Sequence, residues 1–564
     1  MKKTITLLSL SILLFTGKSM LAQDNEGGLP FSFQQELSDN LIATVSTPAF
    51  DFAPVIAMSQ ERVRQGTYEL TDKLFDVDYD MYNSGTWTTL LNGDRLWRLK
   101  ITSPGAKKMC LYYKDFYLPD GAKLYLYNED RSEEIGAFTS KNNETATDNA
   151  GIFSTNHLTG DVQIVEYYEP KNVKGQGHIN IFKIAHQFKS IEAAETCQID
   201  VACPDGASWT NQKQGIVRIY VVIGSLAGYC SGSLVNNTAV DCKKYILTAM
   251  HCALDESTGA ETTSYNLWKF YFNYEKPGCA TGTAPTTHVL TGCQKRAGAN
   301  DGGGQTGSDF LLVEMTPTSY PSGVTPYYNG WTRATTVTTG GVGIHHPEGD
   351  CKKISTFNTT PTSVSWGGTV ANTHWMLVWE AGHGSTEPGS SGSPLINSSG
   401  LIFGHLTGGG SCCVANGCPP GSTGTGPTQP DAYGKVSYDW TSDGTTSALQ
   451  LKPWLDPTNS GVTTLTGTFA CTPAGIDQHV LDNFVNIYPN PNNGSFNVNV
   501  ELEKSNDIYL RIYNVVGEEI YSNKFTNTIG GNYTIDLTAQ TAGMYFVEIR
   551  TNDSKLVKKI NLIK

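Results

Sequence analysis

Basic residues are scarce relative to acidic ones: 40 lysines and arginines face 53 aspartates and glutamates, a formal charge of -13. The chain therefore lacks the cationic excess that binds nucleic acid by releasing counterions, and no nucleic-acid partner is expected. Past the N-terminal segment no uninterrupted apolar run approaches the ~18 residues that a membrane-spanning helix needs, so no transmembrane helix is expected in the mature protein. Paired Cys-x-x-C spacings are also missing. Cys412, Cys413 and Cys418, although histidines lie nearby, are therefore not read as zinc ligands, and no metal or other cofactor is expected. Charged residues make up only 16% of the chain. With Gly, Ser, Thr and Asn abundant, that balance points to a mostly β protein of many turns and short strands.

What is present divides the chain into successive segments. Residues 1–22 carry Lys2 and Lys3, an apolar run from Ile5 to Phe15 and then Met20-Leu21-Ala22, the pattern of a secretory signal peptide. Export permits disulfides, and of 13 cysteines all but Cys110 and Cys471 lie between positions 197 and 418, which marks that region as the cross-linked one. Residues 23–189 alternate apolar and polar positions around the turn Pro119-Asp120-Gly121. Without a His/Asp/Ser grouping, this segment is read as a β-rich pro-region, a carbohydrate-binding sandwich being the other reading. Residues 190–467 repeat short apolar strands between polar turns, as hairpins of a barrel or sandwich do. Near their end, Ser447 to Leu455 has helical spacing that Pro453 kinks or confines to two short pieces. A linker is placed at 468–482. Residues 483–564 read as a small β-sandwich. Their Tyr488-Pro489-Asn490-Pro491 run, Gly543-Met544-Tyr545 strand and Lys558-Lys559 tail resemble the C-terminal sorting domain of type IX secretion. That resemblance implies the type IX secretion machinery as a partner, and release outside the cell or retention on its outer surface.

Three short stretches of 190–467 carry reactive side chains. Tyr245-Ile246-Leu247-Thr248-Ala249-Met250-His251-Cys252 puts a histidine at the end of an apolar strand, beside a cysteine that can pin the following turn. Ser308-Asp309-Phe310-Leu311-Leu312-Val313 puts a carboxylate at the start of another, where burial demands a donor such as an imidazole N–H. Gly389-Ser390-Ser391-Gly392-Ser393-Pro394 suits a tight turn presenting the Ser391 hydroxyl. A serine hydroxyl needs a base to attack an amide, so His251 is the candidate base, Asp309 its orienting partner and Ser391 the nucleophile. The N–H groups of Gly389 and Ser391 are the candidate oxyanion donors. The order His, Asp, Ser is that of chymotrypsin-like proteases.

The same region resembles the bacterial lysyl endopeptidases. The resemblance runs through Cys197-Gln198-Ile199-Asp200-Val201-Ala202-Cys203-Pro204, Gly232-Ser233-Leu234-Val235-Asn236-Asn237-Thr238, Ile344-His345-His346-Pro347, Thr386-Glu387-Pro388 and Trp454-Leu455-Asp456-Pro457. It implies a chymotrypsin-like double β-barrel, polypeptide substrates cut after lysine, and disulfides Cys197–Cys413, Cys203–Cys279 and Cys230–Cys252. It places Asp431, in Pro430-Asp431-Ala432-Tyr433-Gly434-Lys435-Val436, at the base of the substrate pocket, with Trp366, Thr407 and Gly408 lining it. The trypsin-type pocket position, six residues before the nucleophile, is Ser385 and supplies no charge. Thr407 replaces a histidine that in the family stacks on the tryptophan matching Trp366, so that stack is expected to be missing. Ser390 replaces the aspartate that binds a new N-terminal ammonium in related enzymes, which argues against activation by that ion pair. His345-His346 reads as structural. Lys189 is the expected processing site, with the pro-region acting as inhibitor or chaperone of its own enzyme. Broader Lys/Arg specificity, and an inactive protease-fold adhesin, are the other readings.

Overall fold

The structure, a computed structural model, describes residues 25–563 except 36, 38–40, 65–66, 144–150, 192–193, 195, 256–257, 287, 318, 369, 414–425, 427–428, 472–483 and 552–554. The expected signal peptide and most of the expected linker lie outside the described residues. Two compact units emerge: residues 1–238 with 243–469, and residues 239–242 with 470–564. Among the described residues no helix is long and apolar enough to cross a membrane.

Within the first unit, strands β1 (Leu70–Asp80), β2 (Lys108–Tyr117) and β3 (His178–Gln187) come from the N-terminal segment. They are followed by β4 (Ile216–Ile223), β5 (Leu226–Leu234), β6 (Tyr245–Ala249), β7 (Lys269–Tyr271), β8 (Val289–Thr291), β9 (Cys293–Gly298) and β10 (Phe310–Met315). β4 pairs with β5 and β7, β5 with β6, β6 with β10, β10 with β9, and β7 with β8. β8 and β9 are one strand bent at Gly292, whose φ of 96° belongs to the region glycine enters freely. That bend closes the ring into a barrel.

The sequence of β4, Ile-Val-Arg-Ile-Tyr-Val-Val-Ile, lacks the polar/apolar alternation of a strand with one wet face, and all eight residues are buried. One face fills the barrel. The other is covered by the N-terminal segment, whose β1 pairs with the start of β5 (Leu226 opposite Lys73, Ala227 opposite Asp72). β3 then pairs with both β1 and β2. The N-terminal segment, read from sequence as a β-rich pro-region, thus extends the barrel's own sheet. A second sheet within it, built on strands Arg95–Thr102, Lys123–Asn128 and Val162–Glu169, packs through Trp97, Leu99, Leu124, Leu126 and Val165.

The second barrel comprises β11 (Gly341–His345), β12 (Lys353–Phe357), β13 (His374–Leu377), β14 (Pro394–Asn397), β15 (Ile402–Gly409) and β16 (Asp431–Lys435). β11 pairs with β12 and β14, β14 with β15, β15 with β16, and β16 with β13. The ring closes where Glu380 N–H donates to Thr356 O at 2.8 Å and Thr356 N–H to His383 O at 3.0 Å. Residues 447–455 form two short pieces, a 3-10 turn Ser447–Leu449 and a helical turn Lys452–Leu455, as Pro453 requires.

Disulfides join Cys197–Cys413, Cys203–Cys279 and Cys230–Cys252, the pairs the resemblance implies. Cys242 pairs with Cys471 in the second unit. Cys412 is disulfide-bonded as well, and Cys418 lies outside the described residues. Cys110, Cys293 and Cys351 are buried thiols.

In the second unit β17 (Val485–Tyr488), β18 (Ser495–Asn514), β19 (Glu519–Asp536), β20 (Gly543–Arg550) and β21 (Lys555–Leu562) form one hydrogen-bonded sheet rather than two. The first half of β18 pairs with β17 and the second half with β20, with register shifts between residues 501 and 508. Phe496, Val498 and Val500 before the shifts, and Ile508, Leu510 and Ile512 after them, are buried in one core. A single sheet thereby encloses the apolar centre that the alternating sequence suggested for a sandwich.

Candidate active site

The first barrel delivers His251 and Asp309 together. His251 lies on a 3-10 turn, Met250–Ala253, directly after β6, and the Cys230–Cys252 bridge fixes that turn to β5. Asp309 precedes β10 with φ of 65°, a left-handed conformation that a non-glycine residue holds only under constraint. Its N–H donates to Asp301 Oδ2 at 2.8 Å and its carbonyl accepts Met250 N–H at 2.7 Å. Its side chain, fully buried, accepts the His251 backbone N–H on Oδ1 at 2.8 Å and His251 Nδ1 on Oδ2 at 2.6 Å. This pairing requires the tautomer with Nδ1 protonated, and leaves Nε2 as the basic atom. Asp301 is held in turn by the N–H groups of Gly303 and Gly304. Burial pushes its carboxyl up, Asp309 adds to this, and the backbone donors pull the other way.

The second barrel delivers the serine loop. Gly389 and Gly392 have φ of 94° and 77°. A Cβ at Gly392 would sit 2.1 Å from Thr248 Oγ1 and 2.7 Å from Ala249 N, so only glycine lets this loop lie against the strand that ends in His251. Ser231 ties the loop down: its N–H donates to Ser391 O at 2.8 Å and its hydroxyl to Gly389 O at 2.9 Å. The N–H groups of Ser390 and Gly392 donate to Glu387 O and Leu406 O. Those of Gly389 and Ser391 enter none of the described hydrogen bonds. Ser390 Oγ lies 2.7 Å from His345 Nδ1, and His345 Nε2 is 3.1 Å from Ser355 Oγ. A neutral Ser–His–Ser chain therefore supports the residue beside Ser391. His346 Nδ1 donates to Asp350 O at 2.9 Å.

Asp431, at the head of β16, is fully buried. Its Oδ2 accepts Trp379 Nε1 at 2.6 Å, Thr386 Oγ1 at 2.6 Å and Ser411 Oγ at 2.5 Å, and its Oδ1 accepts Ser411 N–H at 3.2 Å. Burial raises its proton affinity and these donors lower it. Gly409 clears the space beside it, since a Cβ there would lie 2.0 Å from Asp431 Oδ1. Gly408 pairs with Ala432 on the same strands, and Thr407 falls at the register shift just before it. Ser385 is buried and donates to Thr386 O at 3.3 Å.

Thr407 does not leave Trp366 without an imidazole. The ring of His374, from β13, lies 5.9 Å from Trp366 at 35°, and His374 Nε2 meets Thr407 Oγ1 at 2.9 Å. Trp366 thus faces, in a tilted arrangement, an imidazole from another strand, and that ring meets the Thr407 hydroxyl. Sequence reading missed His374, Trp379, Ser411 and Asp301. Only Asp301 had a local signal, the glycine run 302–304 that follows it.

Burial pushes His345 and His374 down to about 3, and His346 well below its ordinary value. An unfolded chain protonates such rings near pH 6.5, whereas in the folded chain His345 and His374 resist down to about pH 3. The unfolded state then binds more protons, and stability falls as pH drops through that window by about 1.4 kcal/mol per unit for each ring. Denaturant unfolding at pH 7 and pH 5 measures the slope. His374→Gln is expected to remove one ring's share of it.

Residues 191–423 match the model of the family described as "Lysyl endopeptidase, C-terminal domain", and residues 486–563 that of "Secretion system C-terminal sorting domain". Lysyl endopeptidase of Pseudomonas aeruginosa is 30% identical over 279 residues, which make up 46% of this chain; the chain spans 57% of that relative's length. Among solved structures, protease Anisep from Arthrobacter nicotinovorans aligns at TM-score 0.28 and 14% identity over 42% of this chain and 97% of its own. The thermostable serine protease AL20 from an extremophilic microorganism aligns at TM-score 0.27 and 12% identity over 40% and 91%. By the two family models, residues 191–423 are similar to the C-terminal domain of lysyl endopeptidases and residues 486–563 to a secretion-system C-terminal sorting domain.

Proposed function

We propose that this chain is a secreted serine endopeptidase that hydrolyses the peptide bond on the carboxyl side of lysine. The observation that carries the reading is the buried His251–Asp309 pair, 2.6 Å from Nδ1 to Oδ2, next to a serine loop locked by Ser231 and Gly392. Ser391 Oγ attacks the scissile carbonyl carbon as His251 Nε2 takes its proton. The N–H groups of Gly389 and Ser391 receive the developing oxyanion, and Asp309 stabilises the imidazolium. The C–N bond breaks as His251 returns the proton to the leaving amine. Water, activated by the same imidazole, then releases the acyl group from Ser391.

Asp431 supplies the preference for lysine. Its hydrogen bonds to Trp379, Thr386 and Ser411 hold a carboxylate that a substrate ammonium can complete, whereas a neutral side chain leaves it buried and unpaired. Such an unpaired charge costs about 3–5 kcal/mol, equivalent to about 10²–10⁴ in kcat/KM. Asp431→Asn is therefore expected to lower kcat/KM for lysyl substrates about 10²–10⁴-fold and to raise it for a norleucine substrate, whose binding no longer strands a buried carboxylate. A peptide library tests this. Unchanged lysine preference in Asp431→Asn rejects the pocket assignment, and equal cleavage after lysine and arginine by the wild type favours the broader specificity.

A further inference from the structure

We propose that His345 is the positioning residue of the oxyanion hole: acting through the Ser390 hydroxyl, it sets the backbone N–H groups of Gly389 and Ser391 that are to receive the oxyanion. The proposal rests on the reading of Ser391 as the nucleophile, and not on the preference for lysine.

Three observations carry it. First, hydrogen bonding imposes one direction on the chain that runs through this ring. The Ser355 hydroxyl donates to Ser385 O at 3.0 Å, which uses its only proton. Toward His345 Nε2, 3.1 Å away, it can then only accept, so Nε2 carries the ring proton and Nδ1 is the acceptor. The Ser390 hydroxyl, 2.7 Å from Nδ1, donates to it and accepts the Glu387 N–H at 3.2 Å. One imidazole thus fixes the rotamer of Ser390 and joins it to residues 385–387, which lead into the serine loop. Burial, and then the Lys353 charge, hold the ring in the neutral state that this direction needs. His345, Ser355, Ser385 and Ser390 are fully buried, so a broken link leaves a polar atom without water to replace its partner.

Second, the residues that follow His345 grip the other side of the same loop. His346 N–H donates to Ser231 Oγ at 2.9 Å, and that hydroxyl donates to Gly389 O at 2.9 Å. Glu348 N–H donates to Pro388 O at 2.5 Å. A Cβ on Gly389 would lie 2.8 Å from His346 O and 2.9 Å from Gly349 N, so the two backbones touch there. Residues 345–349 therefore form one clamp on the oxyanion loop, in which the His345 side chain reaches Ser390 while the backbone after it holds Pro388 and Gly389.

Third, Ser390 lies between the two donors in a stretch that needs an anchor. Glycines at 389 and 392, with φ of 94° and 77°, offer little resistance to backbone rotation. The Ser390 N–H and carbonyl are engaged within the loop, with Glu387 O at 3.0 Å and Ser393 N–H at 2.9 Å. Its hydroxyl is the handle by which the rest of the second barrel holds the loop. Rotation about the Ser390 backbone swings the Ser391 N–H, and an oxyanion donor stabilises the transition state only while it points at the developing charge.

The test follows two reactions of the full-length chain: phosphonylation of Ser391 by a fluorophosphonate, which needs nucleophile and oxyanion hole but no lysine, and cleavage of a lysyl peptide. Ser390→Ala and His345→Gln are each expected to slow phosphonylation and to lower kcat about 10²-fold, the size of one lost oxyanion donor, with KM little changed. The affinity of a peptidyl lysine aldehyde, whose adduct with Ser391 puts an oxygen in the hole, should fall in step. Inhibition by n-butylammonium, which fills the lysine pocket alone, should stay as it was. His345→Asn sets an amide oxygen near the place of Nδ1 and should recover part of the rate, leaving a loss of about tenfold, the worth of one neutral hydrogen bond. Ser390→Ala and His345→Gln break the same link, so the double variant should lose little more than either alone. Ser390→Ala keeps the ring and removes one oxygen, so it reads the link even where His345→Gln fails to fold. Wild-type phosphonylation in Ser390→Ala, a loss carried by KM rather than kcat, or additive losses in the double variant would overturn the role of His345. A wild type that is phosphonylated but does not cut after lysine would count against the lysine reading alone, and the phosphonylation rates would still decide on His345. A wild type that is not phosphonylated would overturn the nucleophile assignment and this proposal with it.

Discussion

Replacing Ser391 by alanine is expected to lower kcat/KM toward a lysyl peptide by about 10⁶-fold, since nucleophile and base act as a unit and either loss removes nearly all of their joint contribution. The fold should be unaffected. None of the described hydrogen bonds that shape the loop uses the Ser391 hydroxyl; the loop is held by Ser231, by the Ser390 and Gly392 N–H groups, and by the contact of Gly392 with Thr248 and Ala249. An unchanged thermal transition alongside lost activity therefore separates chemistry from folding. A serine-directed fluorophosphonate should label the wild type and not the variant. If maturation is autocatalytic, the purified variant should also accumulate uncut at Lys189. Labelling that persists in Ser391→Ala would move the nucleophile elsewhere, and absence of labelling in the wild type would favour an inactive protease fold.

Asp309→Asn is expected to lower kcat by about 10⁴-fold. The carboxylate accepts from His251 twice, from the backbone N–H at 2.8 Å and from Nδ1 at 2.6 Å. An amide can accept only through its oxygen. If that oxygen stays with the backbone N–H, the amide NH₂ faces the ring and the imidazole must accept it at Nδ1, which places the proton on Nε2, where a base is needed. Stability should respond differently. Asp301 lies within electrostatic reach and is raised in part by the Asp309 charge, so neutralising Asp309 relieves a repulsion. Steady-state kinetics paired with denaturant unfolding should show a large loss in the first and little loss, or a gain, in the second. Parallel losses would mean that Asp309 serves the fold rather than the reaction.

The parts of the site that could be read from sequence are those whose chemistry is confined to a few neighbouring residues. His251 at a strand end beside Cys252, and Ser391 between glycines, each sit in a local geometry that only a few residue types satisfy. Asp431 came from a longer resemblance, and its partners did not come at all: Trp379 and Ser411 reach it from different loops, and nothing adjacent to either marks that destination. The same holds for His374, which from a strand other than that of Thr407 comes to face Trp366 and the Thr407 hydroxyl. In the fold, alternation identified strands, and the unbroken apolar run of β4 was compatible with cover on both faces. That the second cover is the N-terminal segment depends on pairings such as Lys73 with Leu226, which no spacing encodes. Cys242 and Cys471, 229 residues apart, likewise carry no local sign of their union.

The long disulfide loops bear on how such a molecule ages. Under the proposed activity, concentrated copies attack one another after lysine, and Lys213, Lys243, Lys244, Lys276, Lys295, Lys352 and Lys353 all lie between Cys197 and Cys413. A single nick after any of them leaves the two pieces joined through the Cys197–Cys413 bridge. Damage of this kind accumulates without shedding parts: a worn molecule keeps its mass until a reductant arrives, and its history becomes visible only then.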